Sequence, residues 1–216
     1  MPVDIAQYQS VLRTLSSSHT TLVAVSKTKP AADIQTLYDL GQRDFGENYV
    51  QELTEKEAIL PKDIRWHFIG HLQSNKVKYI APFVHLVHGV DSFKLLKEID
   101  KQAAKCNRKI NCLLQVHIAQ EETKFGLDEQ ELSEVIAALD TLQHVQVKGL
   151  MGMASFSNDT SKLREEFHTL KSLFDRYKNT QQPWSVLSMG MSSDYTIAIE
   201  EGSTLVRIGS LLFGAR

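Results

Sequence analysis

Eight short β-rich runs alternate with amphipathic helical stretches along this chain of 216 residues, and that alternation limits the fold more than any other feature. The runs begin near Thr21, Arg43, Arg65, Val84, Ile110, Val145, Ser185 and Thr204, and the helical patterns near Asp33, Asn48, Ser74, Ser92, Asp128, Ser161 and Asp194. The run Leu22-Val23-Ala24-Val25 is apolar throughout, as in a strand buried on both faces of a parallel sheet. Leu163, Phe167, Leu170, Phe174 and Tyr177 recur at helical spacing along one face. Asp128 and Glu131 form a capping box, with Leu127 and Leu132 at the staple positions around it. Eight strands alternating with helices predict an α/β protein, a (β/α)8 or TIM barrel. The competing doubly wound sheet announces itself by GxGxxG after its first strand, and no such turn follows Val25. No linker, composition shift or repeat divides the chain. Residues 1–216 are therefore expected to form one domain, with an N-terminal helix around 4–17 burying Ile5, Tyr8, Leu12 and Leu15.

The formal net charge is −2 with both signs interspersed, which argues against a nucleic-acid or anionic-membrane surface. No apolar run reaches the length of a membrane span, and the first residues carry no secretory pattern. Cys106 and Cys112 lack CxxC spacing and suit idle thiols in a reducing compartment. The expectation is a soluble, cytoplasmic protein.

In a barrel the chemistry collects where strands end. Those ends carry Lys27, then Gly46-Glu47-Asn48, Gly70-His71, Gly89-Val90-Asp91, His117, Gly152-Met153, Met189 to Asp194, and Arg207-Ile208-Gly209-Ser210. An amine in partly apolar surroundings, as at Lys27, can lose its proton and attack a carbonyl to give a Schiff base. The plainer alternative is a solvated lysine capping a strand. The loops after strands seven and eight are the barrel's frequent phosphate site, and there Ser192 and Ser193 lead into a helix while Gly209 and Ser210 follow the last strand. Separately, those residues read as N-caps and a turn glycine. Arg207 lies within the last strand and, turned inward, needs a partner: a ring nitrogen, or a barrel carboxylate such as Glu47. A lysine for an aldehyde, amides for a phosphate and an arginine for a ring nitrogen together describe pyridoxal phosphate.

The motifs extend well beyond those residues. Ala24-Val25-Ser26-Lys27-Thr28-Lys29-Pro30, Phe45-Gly46-Glu47-Asn48-Tyr49-Val50-Gln51-Glu52 and Trp66-His67-Phe68-Ile69-Gly70-His71-Leu72-Gln73-Ser74-Asn75-Lys76 occur in order. Lys124-Phe125-Gly126-Leu127, Gly149-Leu150-Met151, Ser188-Met189-Gly190-Met191-Ser192 and Val206-Arg207-Ile208-Gly209-Ser210 follow. From Thr21 to Arg216 the chain resembles the pyridoxal phosphate homeostasis protein family, the YggS-like or proline synthase co-transcribed group. The resemblance implies a barrel like the alanine racemase N-terminal domain, the fold type III group of pyridoxal phosphate proteins. It implies the covalent Schiff base on Lys27 and not on Lys29, and Arg207 at the pyridine nitrogen. It further places Asn48, Met189, Gly190, Ser192, Gly209 and Ser210 around the cofactor. A monomer, effects on vitamin B6 pools and delivery to pyridoxal phosphate-dependent apo-enzymes are also implied.

An arginine is always charged and donates to an unprotonated ring nitrogen, which weakens the cofactor as an electron sink. Alanine racemase adds a second base from another domain, whereas here Arg216 follows closely on the last strand. The expectation is a carrier that buffers and delivers pyridoxal phosphate, with no catalytic residue and no metal. The alternatives are a fold type III amino-acid racemase or related enzyme, and a cofactor-free Schiff-base aldolase.

Other signals read as structural. His67 and His71 straddle a strand end, where their spacing has no ligand meaning and no HExxH glutamate accompanies them. His85, His88 and His117 read as hydrogen-bonded barrel histidines, Glu121-Glu122 as a loop, and Lys76 and Lys78 as a solvated helix face. Met151, Met153, Met189 and Met191 read as core and pocket lining.

Overall fold

The computed structural model describes residues 3–119, 125–178 and 183–214; Glu121, Glu122 and Lys124 lie outside them. The strands are β1 (Thr21–Val25), β2 (Asp44–Glu47), β3 (Arg65–Phe68), β4 (Leu86–Val90), β5 (Ile110–Gln115), β6 (Val145–Met151), β7 (Val186–Ser188) and β8 (Leu205–Ile208). All pair in parallel with their sequence neighbours, and β8 returns to β1 to close the barrel. The helices are α1 (Ile5–Ser16), α2 (Ala31–Asp39), α3 (Val50–Ile59), α4 (Val77–Ile80), α5 (Phe93–Lys105), α6 (Glu129–Ala137), α7 (Thr160–Tyr177), α8 (Tyr195–Glu200) and α9 (Ser210–Phe213). The (β/α)8 expectation holds, with strand starts displaced by two residues at most.

Strand alternation sends one set of side chains into the barrel and the other toward the helices. Val23, Leu86, Leu113, Met151 and Leu205 form the small inner cluster. Leu22, Ala24, Phe45, Trp66, Phe68, Val206 and Ile208 belong to the larger layer between sheet and helices. Asp44, His67, His88, Ser188 and Arg207 fall on the inward phase of their strands and are also buried. The interior is thus part apolar and part polar. Gly149, on β6 with φ +147°, permits the approach of β7, because a Cβ there would lie 2.0 Å from the Val186 carbonyl oxygen.

The strongest local signals form as read. The α6 capping box is present in both directions, and Leu163, Phe167, Leu170 and Phe174 of α7 are buried. The face of α1 differs. Tyr8, Val11 and Leu15 are buried, whereas Ile5 and Leu12 are exposed. The last two lie roughly 70–90° round the helix from the buried stripe, and docking, including Asp4 N–H on the Leu212 carbonyl, selects the other side. The α9 turn was not foreseen. The stretch from Ser74 opens as a 3-10 turn before α4. Cys106 and Cys112 are free thiols, and burial pushes the Cys112 thiol up, away from the reactive thiolate. No helix among the described residues is long and apolar enough to cross a membrane.

Candidate functional site

A cavity of about 460 Å³ opens at the C-terminal ends of the strands. Its wall includes Lys27 and Thr28 after β1, Asn48 after β2, Ile69 after β3, Met153 and Phe156 after β6, and Met191, Ser192 and Ser193 after β7. Arg207, Gly209, Ser210 and Leu211 complete it from β8 onward, with Lys29 and Gly214 at the edge. Six of the expected residues, Lys27, Asn48, Ser192, Arg207, Gly209 and Ser210, therefore share one wall. Among the described residues the lining holds three cationic side chains and no carboxylate, histidine or tyrosine. Such a wall favours an anionic ligand.

Lys27 is aimed by a strained turn. Thr28 has φ +63°, unusual for a β-branched residue and worth about 1–3 kcal/mol of strain. A partly buried network holds that turn. Thr28 N–H donates to Glu52 Oε1 at 2.6 Å, and Lys29 N–H to the Ser26 carbonyl at 3.0 Å. Lys56 Nζ from α3 donates to Glu52 at 2.6 Å, to Glu47 at 2.7 Å and to the Ser26 carbonyl at 2.7 Å. Ser26 Oγ donates to Glu47 Oε1 at 2.6 Å. Burial raises the Glu47 pKa, with the Lys56 ammonium pulling against it. Glu47 thus serves the Lys27 turn from outside the barrel wall. It is not the partner of Arg207, correcting that alternative: outward phase on β2 turns it toward α3.

Arg207 is held by neutral acceptors. Nη1 donates to the Ser188 carbonyl at 2.9 Å and to Ser188 Oγ at 2.6 Å, and Nη2 to the Gly152 carbonyl at 3.1 Å. Burial lowers its pKa to about 10, the Asp194 charge opposing, so it remains cationic at neutral pH. These bonds occupy part of the guanidinium fork, and Arg207 itself lines the cavity. Asn48 Oδ1 is buried on the same wall with no hydrogen-bond partner, an acceptor suited to a ligand.

At the other end of the cavity Gly209 N–H donates to Ser192 Oγ at 3.2 Å, joining the loops after β7 and β8. A Cβ on Gly209 would lie 3.1 Å from the Val25 carbonyl oxygen, so a glycine keeps this loop close to β1. Asp194, not Ser192 or Ser193, is the N-cap residue of α8, and its carboxylate accepts Met191 N–H at 2.6 Å. Met189 and Gly190, expected at the cofactor, do not line the cavity. Met189 is core, one residue out of phase with inward Ser188, and Gly190 at φ +96° packs the loop against α8.

Sequence reasoning missed Ile69, Phe156 and the support from Lys56 and Glu52. It also missed the role of Lys29, whose Nζ donates to the carbonyls of Phe213 and Gly214 at 2.7 and 3.3 Å. Lys56 gave a signal, since it stands four residues after Glu52 on a helix facing Glu47. His67 and His71 do not converge, but another grouping involves His67. Asp44, His67 and His85 bring one donor atom each within 4.8 Å of one another. Both Asp44 oxygens are already bound by Arg65, at 2.7 and 2.5 Å, and both His67 nitrogens are engaged. His71 instead bonds Asp91 at 3.1 Å and stacks on Phe125.

Comparison with known proteins agrees with this geometry. Residues 4–216 match the family model "Alanine racemase, N-terminal domain". The pyridoxal phosphate homeostasis protein of Aquifex aeolicus is 43% identical over 199 residues, covering 90% of this chain and 86% of the relative. PipY of Synechococcus elongatus, solved without pyridoxal phosphate, superposes with a TM-score of 0.92 at 37% identity, covering 98% of this chain and 100% of PipY. Its structure with pyridoxal phosphate bound gives 0.89 at 36% identity, covering 98% and 100%. By its fold, its whole-length sequence match and the wall of its cavity, this chain belongs to the alanine racemase N-terminal domain family and, within it, to the pyridoxal phosphate homeostasis proteins.

Proposed function

We propose that this protein holds pyridoxal phosphate covalently on Lys27 and acts in its intracellular homeostasis, buffering and delivering the cofactor. One observation carries the reading: an amine on a fixed turn, an inward guanidinium and a serine- and glycine-lined end converge on a single cationic cavity. Bound there, pyridoxal phosphate supplies an aldehyde that condenses with a primary amine. Lys27 is that amine. Arg207 has N–H donors for the ring nitrogen, Ser192 and Ser210 have hydroxyls for the phosphate beside Gly209, and Asn48 brings its unpartnered carbonyl to the same wall.

The same residues support a carrier over a catalyst. Arg207 donates without giving up its proton, so it leaves the ring nitrogen unprotonated. Among the described residues no tyrosine lines the cavity, and the lining holds no carboxylate or histidine to move a proton on a bound amino acid. Lys29 is occupied by the carbonyls of Phe213 and Gly214. A cytoplasmic monomer made of this barrel, passing its cofactor to apo-enzymes, completes the proposal.

Borohydride treatment of the loaded protein, followed by peptide mass spectrometry, tests the covalent site. The reduced adduct should lie on the Lys27 peptide and disappear in Lys27→Ala. An adduct on another side chain, or none, would overturn the assignment. Incubation with L-amino acids and chiral chromatography tests the second half: Lys27-dependent racemisation would defeat the carrier reading.

A further inference from the structure

The polar groups inside the barrel connect. Arg207 Nη1 reaches Ser188 Oγ at 2.6 Å, and Ser188 Oγ lies 3.1 Å from His88 Nδ1. His88 Nε2 lies 2.9 Å from His67 Nδ1, and His67 Nε2 lies 2.9 Å from Asp44 Oδ1. Asp44 in turn accepts from Arg65 at the opposite mouth of the barrel. Five strands contribute, β2, β3, β4, β7 and β8, each through an inward position.

The two ends set the direction of the terminal bonds. A guanidinium only donates and a carboxylate only accepts. Asp44 therefore receives the Nε2 proton of His67, and with one proton on each imidazole His67 Nδ1 accepts the Nε2 proton of His88. His88 Nδ1 must then accept the Ser188 hydroxyl proton, and the Ser188 oxygen accepts from Arg207. In that arrangement all donors point one way, toward Asp44, and each ring is held in a single tautomer. Full burial keeps His88 uncharged.

We propose that Asp44, His67, His88 and Ser188 are a one-way hydrogen-bond chain that positions Arg207 for the cofactor ring. The proposal rests on the reading of Arg207 as the ring-nitrogen donor. A carboxylate placed directly on Arg207 would engage two N–H groups of its fork and compete with the ligand. The chain avoids this. It puts the carboxylate at the far end, polarises the Ser188 oxygen toward the guanidinium, and leaves donors for the cavity. It also gives a physical reason for a polar interior: every link is paired, where a single unpaired group would be costly.

The test uses full-length protein loaded with pyridoxal phosphate labelled with 15N in the ring. It measures the cofactor dissociation constant and the ring-nitrogen chemical shift. Asp44→Asn and Ser188→Ala should each weaken binding roughly three- to tenfold, the range of one neutral hydrogen bond, and shift the nitrogen signal. Combined, they should be no weaker than Ser188→Ala alone, because cutting the chain beside Arg207 silences its far end. Ser188→Thr, which keeps the hydroxyl, should retain most of the affinity. Effects that multiply in the double variant, or an Asp44→Asn protein that matches wild type in both readouts, would overturn the chain. Should Asp44→Asn not fold, His88→Gln and His88→Phe decide. Glutamine can accept from Ser188 and donate to His67 whereas phenylalanine can do neither, so equal behaviour of the two overturns the proposal. Arg207→Met separates the two claims. If it leaves both readouts unchanged, the ring-nitrogen reading itself fails; if it changes them while the chain variants do not, only the chain fails.

Discussion

Lys56 shows how much of a site can rest on a residue that never touches the ligand. Its ammonium compensates fully buried Glu47, ties the Ser26 carbonyl, and shares Glu52 with the Thr28 amide. Removing one member of a buried ion pair leaves an uncompensated charge, and burial already drives the Glu47 pKa upward. Lys56→Met should cost about 3 kcal/mol by urea unfolding and weaken cofactor binding through the loosened Lys27 turn. Lys56→Met combined with Glu47→Leu should recover much of the stability, because the fully buried orphan charge is gone. Recovery of stability without recovery of binding is the expected pattern, since Glu52 still lacks its lysine. Lys27 and Arg207 were legible as chemistry in the sequence; this support was not, because it depends on which face of β2 meets α3.

Among the helices, α6 is the clearest case of a local code that suffices. Asp128 accepts Glu131 N–H at 2.8 Å, and Glu131 returns to Asp128 N–H at 3.0 Å. The box lies outside the cavity wall. Asp128→Ala should therefore lower stability by about 1 kcal/mol and leave the cofactor dissociation constant unchanged. Parallel urea titrations and binding measurements check both halves. By contrast, the spacing in α1 put Ile5, Tyr8, Leu12 and Leu15 on one face, and only the docked surface selected Tyr8, Val11 and Leu15. The turn before α8 is similar: two serines resembled caps, yet Asp194 holds that position while its side chain closes the loop at Met191.

For the molecule as a whole, the polar interior ties stability to pH. His88 is buried with its pKa well below the ordinary histidine value, so it stays neutral when folded and protonates when unfolded. Below about pH 6.5 the unfolded chain binds the extra proton, and stability falls as pH falls, at up to about 1.4 kcal/mol per pH unit for one group. Asp44 adds to this lower down. Burial alone would raise its pKa, but the hydrogen bonds from Arg65 and His67 prevail and hold the carboxyl well below the usual carboxylate range. Its stabilisation is present above about pH 4 and is lost progressively below it. Urea unfolding at successive pH values should show a decline beginning near neutrality and steepening in acid. His88→Gln should flatten the part between about pH 6.5 and 5 and leave the acid limb.

The amino-acid sequence alone determined the alternation that closes a barrel, the capping box of α6, and the lysine, arginine, serine and glycine residues that share the cavity wall. Those features are periodic or local, written in side-chain spacing and in bonds between residues a few positions apart. Tertiary structure decided the rest: that Glu47 faces Lys56 and not Arg207, that Met189 and Gly190 lie off the cavity wall, and that Asp44, His67, His88 and Ser188 meet. Residues as distant in sequence as His88 and Ser188 become bonded neighbours only when the sheet closes. Closure fixes the register between strands, and register is a property of paired chains that no single segment carries.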